Sequence, residues 1–343
     1  MIGYLFDETL EDILLDQLLI TSKGADIPFC AISIDSMKHM LAGHKADVLI
    51  GADRKKMKCS LPRIVDCTFP VNVKLAAEKY GADFISDLCK KTYVCIQKSV
   101  NKCHFPAFLY QAGLFEHAIP TLEITSYNKL KKAISLFPNA ILKPSAGRMG
   151  TKVYRLHMDE VSNEIIHENN AEAKIFTEKG FNTYVDELRQ AMMGHALLQP
   201  CMDFRLDDGH SLVFKLLRHR DESGEWRDVG TYAMIGGASV VANISKGGSF
   251  GDVRECLRII SVKNKEELYD KVLSLGLSVA KGIEKKFGLN AYCLGIDIAI
   301  ERNTLQPYVI EANTYPNSKR FTPAIAKMRL SYYKYLQKVV CDY

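Results

Sequence analysis

Two carboxylates and a carboxamide close to the C-terminus carry the strongest chemical signal in the sequence. In "LGIDIAI", residues 294–300, Leu294, Ile296, Ile298 and Ile300 alternate with Gly295, Asp297 and Ala299. Strand geometry puts the two sets on opposite faces. In "YVIEAN", residues 308–313, the same alternation groups Val309, Glu311 and Asn313. A hairpin centred near Thr304 sets Asp297 opposite Glu311. Opposed carboxylates repel each other, and a divalent cation between them reverses that penalty. Mg2+ takes hard oxygen ligands of this kind together with substrate phosphates, and Mn2+ is admissible in its place. Asp297, Glu311 and Asn313 are the expected metal set. The competing reading is a solvent-facing hairpin with a polar outer face.

A second signal lies in "ILKPSAGRMGTKVYRL". Lys143 ends an apolar strand. Gly147 and Gly150 permit a tight turn whose N–H groups can face an anion, with Arg148 and Lys152 adding charge. The pattern is neither a P-loop nor a dinucleotide fingerprint, and a plain glycine hairpin is the alternative. A third, "ANISKGGSFGD", brings Asn243, Lys246, Gly247 and Gly248 into one loop, which reads as a second anion site or as a surface loop.

These groups need a scaffold of some size. The chain has 343 residues, enough for two or three domains. With 47% hydrophobic and 25% charged residues it has an ordinary globular composition. The net charge of +5 suits phosphates or acidic small molecules. No base-reading module is evident, and no run approaches the roughly 18 apolar residues of a membrane span. Nucleic-acid and membrane partners are therefore not expected. Ten cysteines without a CxxC pair read as reduced, mostly buried thiols of a cytoplasmic protein. Six of them between Cys30 and Cys103 keep a metal or redox cluster open as an alternative. The opening "MIGYLFDETLEDILL" lacks a signal-peptide pattern. The basic stretch "DRKKMKC" reads as a solvated face or as an attractor of an acidic partner.

Within residues 1–96, "PFCAISI", "ADVLIG" and "PRIVDC" read as strands, and "LEDILLDQLLI" and "NVKLAAEKYG" as helices. This alternation predicts a small α/β domain with a mostly parallel sheet. "SYNKLKKAISLF" reads as a helix capped by Ser126. "ALLQPCMDF", "SLVFKLLRHR" and "WRDVGTYAMIG" read as strands. Leu268, Val272, Leu275, Val279, Ile283 and Phe287 recur at helical spacing, and Gly288 ends that helix.

The order of these parts resembles the ATP-grasp superfamily: a Lys-ending strand with a glycine hairpin, an NxxxGG loop, a long helix, then a carboxylate hairpin ending in ExN. "LLQPCMDF" looks like its hinge strand beside adenine. "RDESGEWRDVGTY" with "VVANISKGG" is most similar to the spore-associated YheC/YheD-like branch, with likeness also to ribosomal-protein glutamate ligases. The resemblance implies an α/β (α+β) fold of ATP-grasp architecture. An N-terminal α/β pre-ATP-grasp domain would span 1–96. A central subdomain with the phosphate-covering hairpin would span 97–196, and a C-terminal subdomain with the metal site 197–343, the two enclosing the nucleotide. It implies that Lys102 and Lys143, with Ser145, Gly147, Gly150 and Lys152, bind ATP phosphates. Gln199, Cys201 and Met202 would meet adenine and Asp203 the ribose. Lys215, Arg218, Asn243 and Lys246 would act on the transferred group, and Asp297, Glu311 and Asn313 would hold Mg2+.

The sequence departs from the family at three places. Val213, Phe214 and Lys215 stand where relatives often have Asp-x-Arg; Gly295 replaces a frequent Arg; and Pro316-Asn317 replaces Pro-Gly. The implied reaction is ADP-forming carboxylate–amine ligation through an acyl phosphate, with small-molecule or peptide carboxylates and amines as substrates. A kinase on the same scaffold, and a non-catalytic nucleotide-binding structural protein, are the alternatives. The oligomeric state is not readable.

Overall fold

The computed structural model describes the chain except residues 99, 147–150, 160–161, 163, 170–171, 237–246, 262, 315–318 and 342–343. The described residues form three sheets, each within one stretch of the chain. The first holds β1 (Ile2–Phe6), β2 (Phe29–Ser33), β3 (Ala46–Ile50), β4 (Lys55–Cys59), β5 (Ile64–Asp66) and β6 (Tyr93–Cys95), in the order β4-β3-β2-β1-β5-β6. Its centre is parallel, while β3 and β4 run antiparallel at one edge. β1 is buried along its whole length, as a central parallel strand must be. Asp12 caps α1 (Ile13–Ser22) and Ser33 caps α2 (Ile34–Leu41), each accepting an N–H three residues on. α3 (Pro70–Tyr80) and α4 (Phe84–Lys91) complete this unit. The basic stretch 53–59 contains the edge strand β4, where exposed lysines discourage pairing with another chain.

α5 (Phe105–Gln111) leads into the second sheet, which is antiparallel throughout. It comprises β7 (Leu122–Ile124), β8 (Asn139–Pro144), β9 (Tyr154–Met158), β10 (Ile165–Asn169), β11 (Glu172–Ile175) and β12 (Ala196–Pro200), with α6 (Tyr127–Leu136) and α7 (Glu178–Gln190). Ser126 caps α6 by accepting from the Lys129 N–H. In β8, Ala140, Leu142 and Pro144 are buried, which turns Ile141 and Lys143 to the opposite face.

The third sheet has the order β15-β14-β13-β16-β17. Its strands are β13 (Leu212–Arg220), β14 (Trp226–Ile235), β15 (Ser249–Gly251), β16 (Cys293–Ile300) and β17 (Pro307–Asn313). α8 (Val253–Ile260) and α9 (Lys265–Phe287) precede β16, and α10 (Thr322–Cys341) closes the chain. α9 packs on one face of the sheet, in a core with Phe214, Leu216, Ile296 and Ile298. Gly276 makes this approach possible, since a Cβ there would overlap the Leu216 side chain. α10 packs on the other face, where Ile325, Leu330, Tyr332 and Tyr333 share one core with Tyr4 and Phe29 of the first sheet and Leu217 of the third. No helix of the described residues is long and apolar enough to cross a membrane.

Candidate active site

The β16–β17 hairpin sets Asp297 opposite Glu311 and Gly295 opposite Asn313. One residue then slips: Ile298 pairs with Val309, leaving Ile310 as a bulge. The slip corrects the expectation that Val309 shares a face with Glu311. Val309 lies in the α9 core with Ile298, whereas Glu311 and Asn313 lie on the opposite face. A regular strand could not bury Val309 and also present Glu311 beside Asp297.

On the other side of Asp297, β13 contributes Lys215 in direct register. Its Nζ lies 2.7 Å from Asp297 Oδ1 and donates to Oδ2 at 3.1 Å. Beyond this ion-pair contact, the buried Oδ1 has no hydrogen-bond donor among the described residues. Glu311 takes a 2.8 Å contact from Lys102 and a 2.6 Å hydrogen bond from the Asn313 amide. Two ammonium groups, two carboxylates and one carboxamide thus gather on one sheet face. Burial, reinforced by Glu311, pushes Asp297 up to about 6 despite Lys215. Burial acts the same way on Glu311, but Lys102 and Asn313 outweigh it and hold the group below the usual carboxylate range. Burial opposes the Lys215 charge, and Asp297 more than restores it.

Lys143 faces this group from the second sheet. Burial and the nearby Lys102 charge hold it down at about 8, with Glu311 the opposing influence. No ion pair offsets its charge among the described residues. The strand end it occupies is latched: the Ser145 N–H donates to His195 O at 2.8 Å, and the His195 N–H donates to Ser145 Oγ at 2.9 Å. Gly194, at φ +76°, lies so close that a Cβ there would collide with Ser145 Oγ. Ser145 therefore anchors the turn in addition to any contact it makes with an anion.

The remaining candidates divide. Gln199 donates to Thr121 Oγ1 at 2.7 Å, and the Cys201 N–H donates to Asn139 O at 2.8 Å. Met202 and Asp203 follow in the link to β13. Asp203 accepts from Arg205, and its carbonyl accepts from the Arg302 N–H, which ties the link to the β16–β17 turn. Lys152 pairs with Glu187 of α7 at 2.6 Å. Arg218 is not brought to the cluster. β13 stays in register with β16 through this stretch, and Arg218 is three residues from Lys215, so regular alternation turns it to the α9 face, where it meets Asp228 at 3.0 Å and Leu273 O. Gly147, Arg148, Gly150, Asn243, Lys246, Pro316 and Asn317 lie outside the described residues. Sequence reasoning passed over Tyr232, which stands in register with Lys215 and so continues the row Glu311–Asp297–Lys215 onto β14.

The sequence pattern of YheC/D-like ATP-grasp proteins matches residues 92–339. The chain belongs to that family. Among solved structures it is similar to D-cycloserine synthetase DcsG at 15% identity, with a TM-score of 0.52, covering 96% of this chain and 99% of that one. It is similar to a biotin carboxylase–β,γ-ATP complex from Campylobacter jejuni at 16% identity, with a TM-score of 0.55, covering 96% and 71%. At these identities the likeness is one of fold. No curated protein sequence matches the chain. In this YheC/D-like protein no three His, Cys, Asp or Glu side chains gather among the described residues. Nine described cysteines are free thiols, and Cys30, Cys67, Cys95, Cys256 and Cys293 are buried.

Proposed function

We propose that the protein is an ATP-dependent, ADP-forming carboxylate–amine ligase. The observation that carries the reading is the juxtaposition of Asp297, Glu311, Asn313 and Lys215 on the third sheet with Lys143 on the second and Lys102 in the turn before α5. Three cations around two carboxylates suit a polyanion together with a divalent ion. The oxygen donors fit Mg2+: they are hard ligands, and the buried Asp297 Oδ1 has no hydrogen-bond donor among the described residues. Bound there, Mg2+ would supply charge neutralisation for the phosphates.

Lys102 and Lys143 would hold the triphosphate, and the link through Gln199, Cys201, Met202 and Asp203 would receive the adenosine. Lys215 sits where negative charge is transferred. A substrate carboxylate oxygen attacks the γ-phosphorus, and the bond to the β–γ bridging oxygen breaks, releasing ADP. An amine nitrogen then attacks the acyl carbon; phosphate leaves, and the amine proton passes to solvent or to phosphate. The protein's part is positioning and charge stabilisation, with no enzyme nucleophile. The ATP-bound and synthetase relatives of the same fold support this choice.

The test is product analysis of purified protein with Mg-ATP and mixed amino acids or short peptides. Ligation yields ADP and free phosphate in equal amounts, together with an amide. ADP with a phosphorylated product and no free phosphate would identify a kinase instead, and nucleotide binding without turnover would identify a structural role. Glu311→Ala is expected to abolish turnover while leaving the thermal unfolding of the nucleotide-free protein nearly unchanged.

A further inference from the structure

Each carboxylate oxygen of the Asp297–Glu311 pair already has an ammonium group or an N–H against it. Lys215 Nζ lies 2.7 Å from Asp297 Oδ1 and donates to Oδ2 at 3.1 Å. Lys102 Nζ lies 2.8 Å from Glu311 Oε2, and the Asn313 amide donates to Oε1 at 2.6 Å. A small divalent ion bonds to carboxylate oxygen at about 2.1 Å. An ammonium group on the same oxygen then stands about 4 Å from the ion, where their repulsion is strong in a cleft screened from water. Metal and lysine therefore compete for the pair.

The two lysines are not equivalent. Lys215 is built into β13, between β14 and β16, and stands in register with Asp297. Its side chain is 15% exposed and is held from the neighbouring strand. Lys102 belongs to no strand or helix. It sits in the turn before α5, where the His104 N–H donates to Asn101 O at 3.0 Å, and its side chain is 29% exposed. Lys102 can swing without disturbing a sheet. It also lies close enough to Lys143 to disfavour that lysine's charge. An anion between the two relieves this repulsion and draws Lys102 away from Glu311.

We infer that Lys102 is a latch on the metal site: it closes Glu311 to a divalent ion until phosphates recruit its ammonium group, so that metal and nucleotide enter together. The inference rests on the ligase reading for the nucleotide. Lys102 is in this respect a positioning residue, since it acts on the ion through Glu311. Such coupling is reciprocal: the metal strengthens nucleotide binding by the factor that the nucleotide strengthens metal binding.

Mn2+ binding to the nucleotide-free full chain, read by electron paramagnetic resonance, tests the latch without turnover. Lys102→Met should bind Mn2+ about tenfold more tightly than the wild type. Lys143→Met removes a charge from the same cleft but no ion pair among the described residues, and should gain about threefold at most. Lys102→Arg keeps a cation against Glu311 and should bind no more tightly than the wild type. Mn2+ should also raise the unfolding temperature of Lys102→Met more than that of the wild type. If Lys102→Met does not fold, Lys102→Gln carries the same expectation. Equal gains from the Lys102 and Lys143 variants, or no gain from either, overturn the latch. The expected Mn2+ pattern without ADP formation in any substrate mixture leaves the latch standing and refutes the ligase. Turnover with an Mn2+ affinity that Lys102→Met leaves unchanged refutes the latch alone.

Discussion

Replacing Lys143 with methionine should stabilise the nucleotide-free protein and remove its response to nucleotide. Burial holds this lysine at about 8 against an ordinary 10.5. At about 1.4 kcal/mol per pH unit, that displacement amounts to about 3 kcal/mol, and solvent at the cleft face reduces it to about 2. The sign follows from proton counting. The folded lysine has the lower pKa, so the native state binds fewer protons than the unfolded chain between pH 8 and 10.5. The cost of the buried charge is fully present below pH 8 and disappears as pH rises through that window. Methionine has similar length and no charge, so the variant should be the more stable protein at pH 7 by about 2 kcal/mol, a difference that vanishes toward pH 10.5. Phosphates would supply the missing counter-charge, so wild-type affinity for Mg-ADP should fall as pH rises above 8. Urea unfolding at pH 7 and pH 10, with and without Mg-ADP, reads both effects. A destabilised variant, or one that keeps the wild-type gain with Mg-ADP, would refute the assignment of Lys143 as an uncompensated phosphate-binding charge.

Two further substitutions test the frame around the site. Arg329 and Asp66 are almost entirely buried and pair at 3.0 Å, so Arg329→Met should cost about 3–5 kcal/mol in urea unfolding, with Asp66→Asn recovering part of it. His219 accepts from Arg329 Nε and donates from Nδ1 to the Arg220 carbonyl, and burial beside Arg329 keeps it neutral well below 6.5. The unfolded chain takes up that proton first, so stability should decline as pH falls below 6.5, and His219→Gln should flatten the decline. Gly194→Ala should raise the KM for ATP severalfold, whereas Gly209→Ala, with the same positive φ but open space around it, should not. Equal effects of the two would place the cause in backbone strain instead of the Ser145 latch.

Local pattern was enough to find the hairpin, the Lys143 strand, the Ser126 cap and the long helix, because each is written in alternation, capping or helical period within a short window. The Asp297–Glu311 register followed from the symmetry of two strands about one turn. The Ile310 bulge did not, since an extra residue leaves no mark on composition; only the competing demands of the α9 core and the cleft decide it. Arg218 is a different case: it lies an odd number of residues from Lys215 on a regular strand, so alternation alone puts the two on opposite faces. α10 was passed over because its apolar residues do not form one stripe. Ile325, Leu330, Tyr332 and Tyr333 meet two different sheets, so the helix is buried around much of its circumference and its period is blurred.

α10 also explains why the first sheet bears on a site to which it gives no proposed ligand. Asp66 stands at the end of a central parallel strand, and its carboxylate accepts from Arg329 and Tyr333 of α10. Arg329 reaches on to His219 of β13, four residues beyond Lys215 on the same strand. Thr68 meets Tyr292, the residue just before β16, the strand of Asp297. The two strands that carry Lys215 and Asp297 are therefore both fixed, at one end, to the first sheet. On the opposite face both strands pack against α9. Holding both strands at the same end sets the register between Lys215 and Asp297 against sliding, and a one-residue slide would turn one of the pair to the wrong face. The buried ions of this network need contribute little net stability; their satisfied geometry admits one alignment of the strands, which is what a pair of opposed carboxylates requires to act on a single ion.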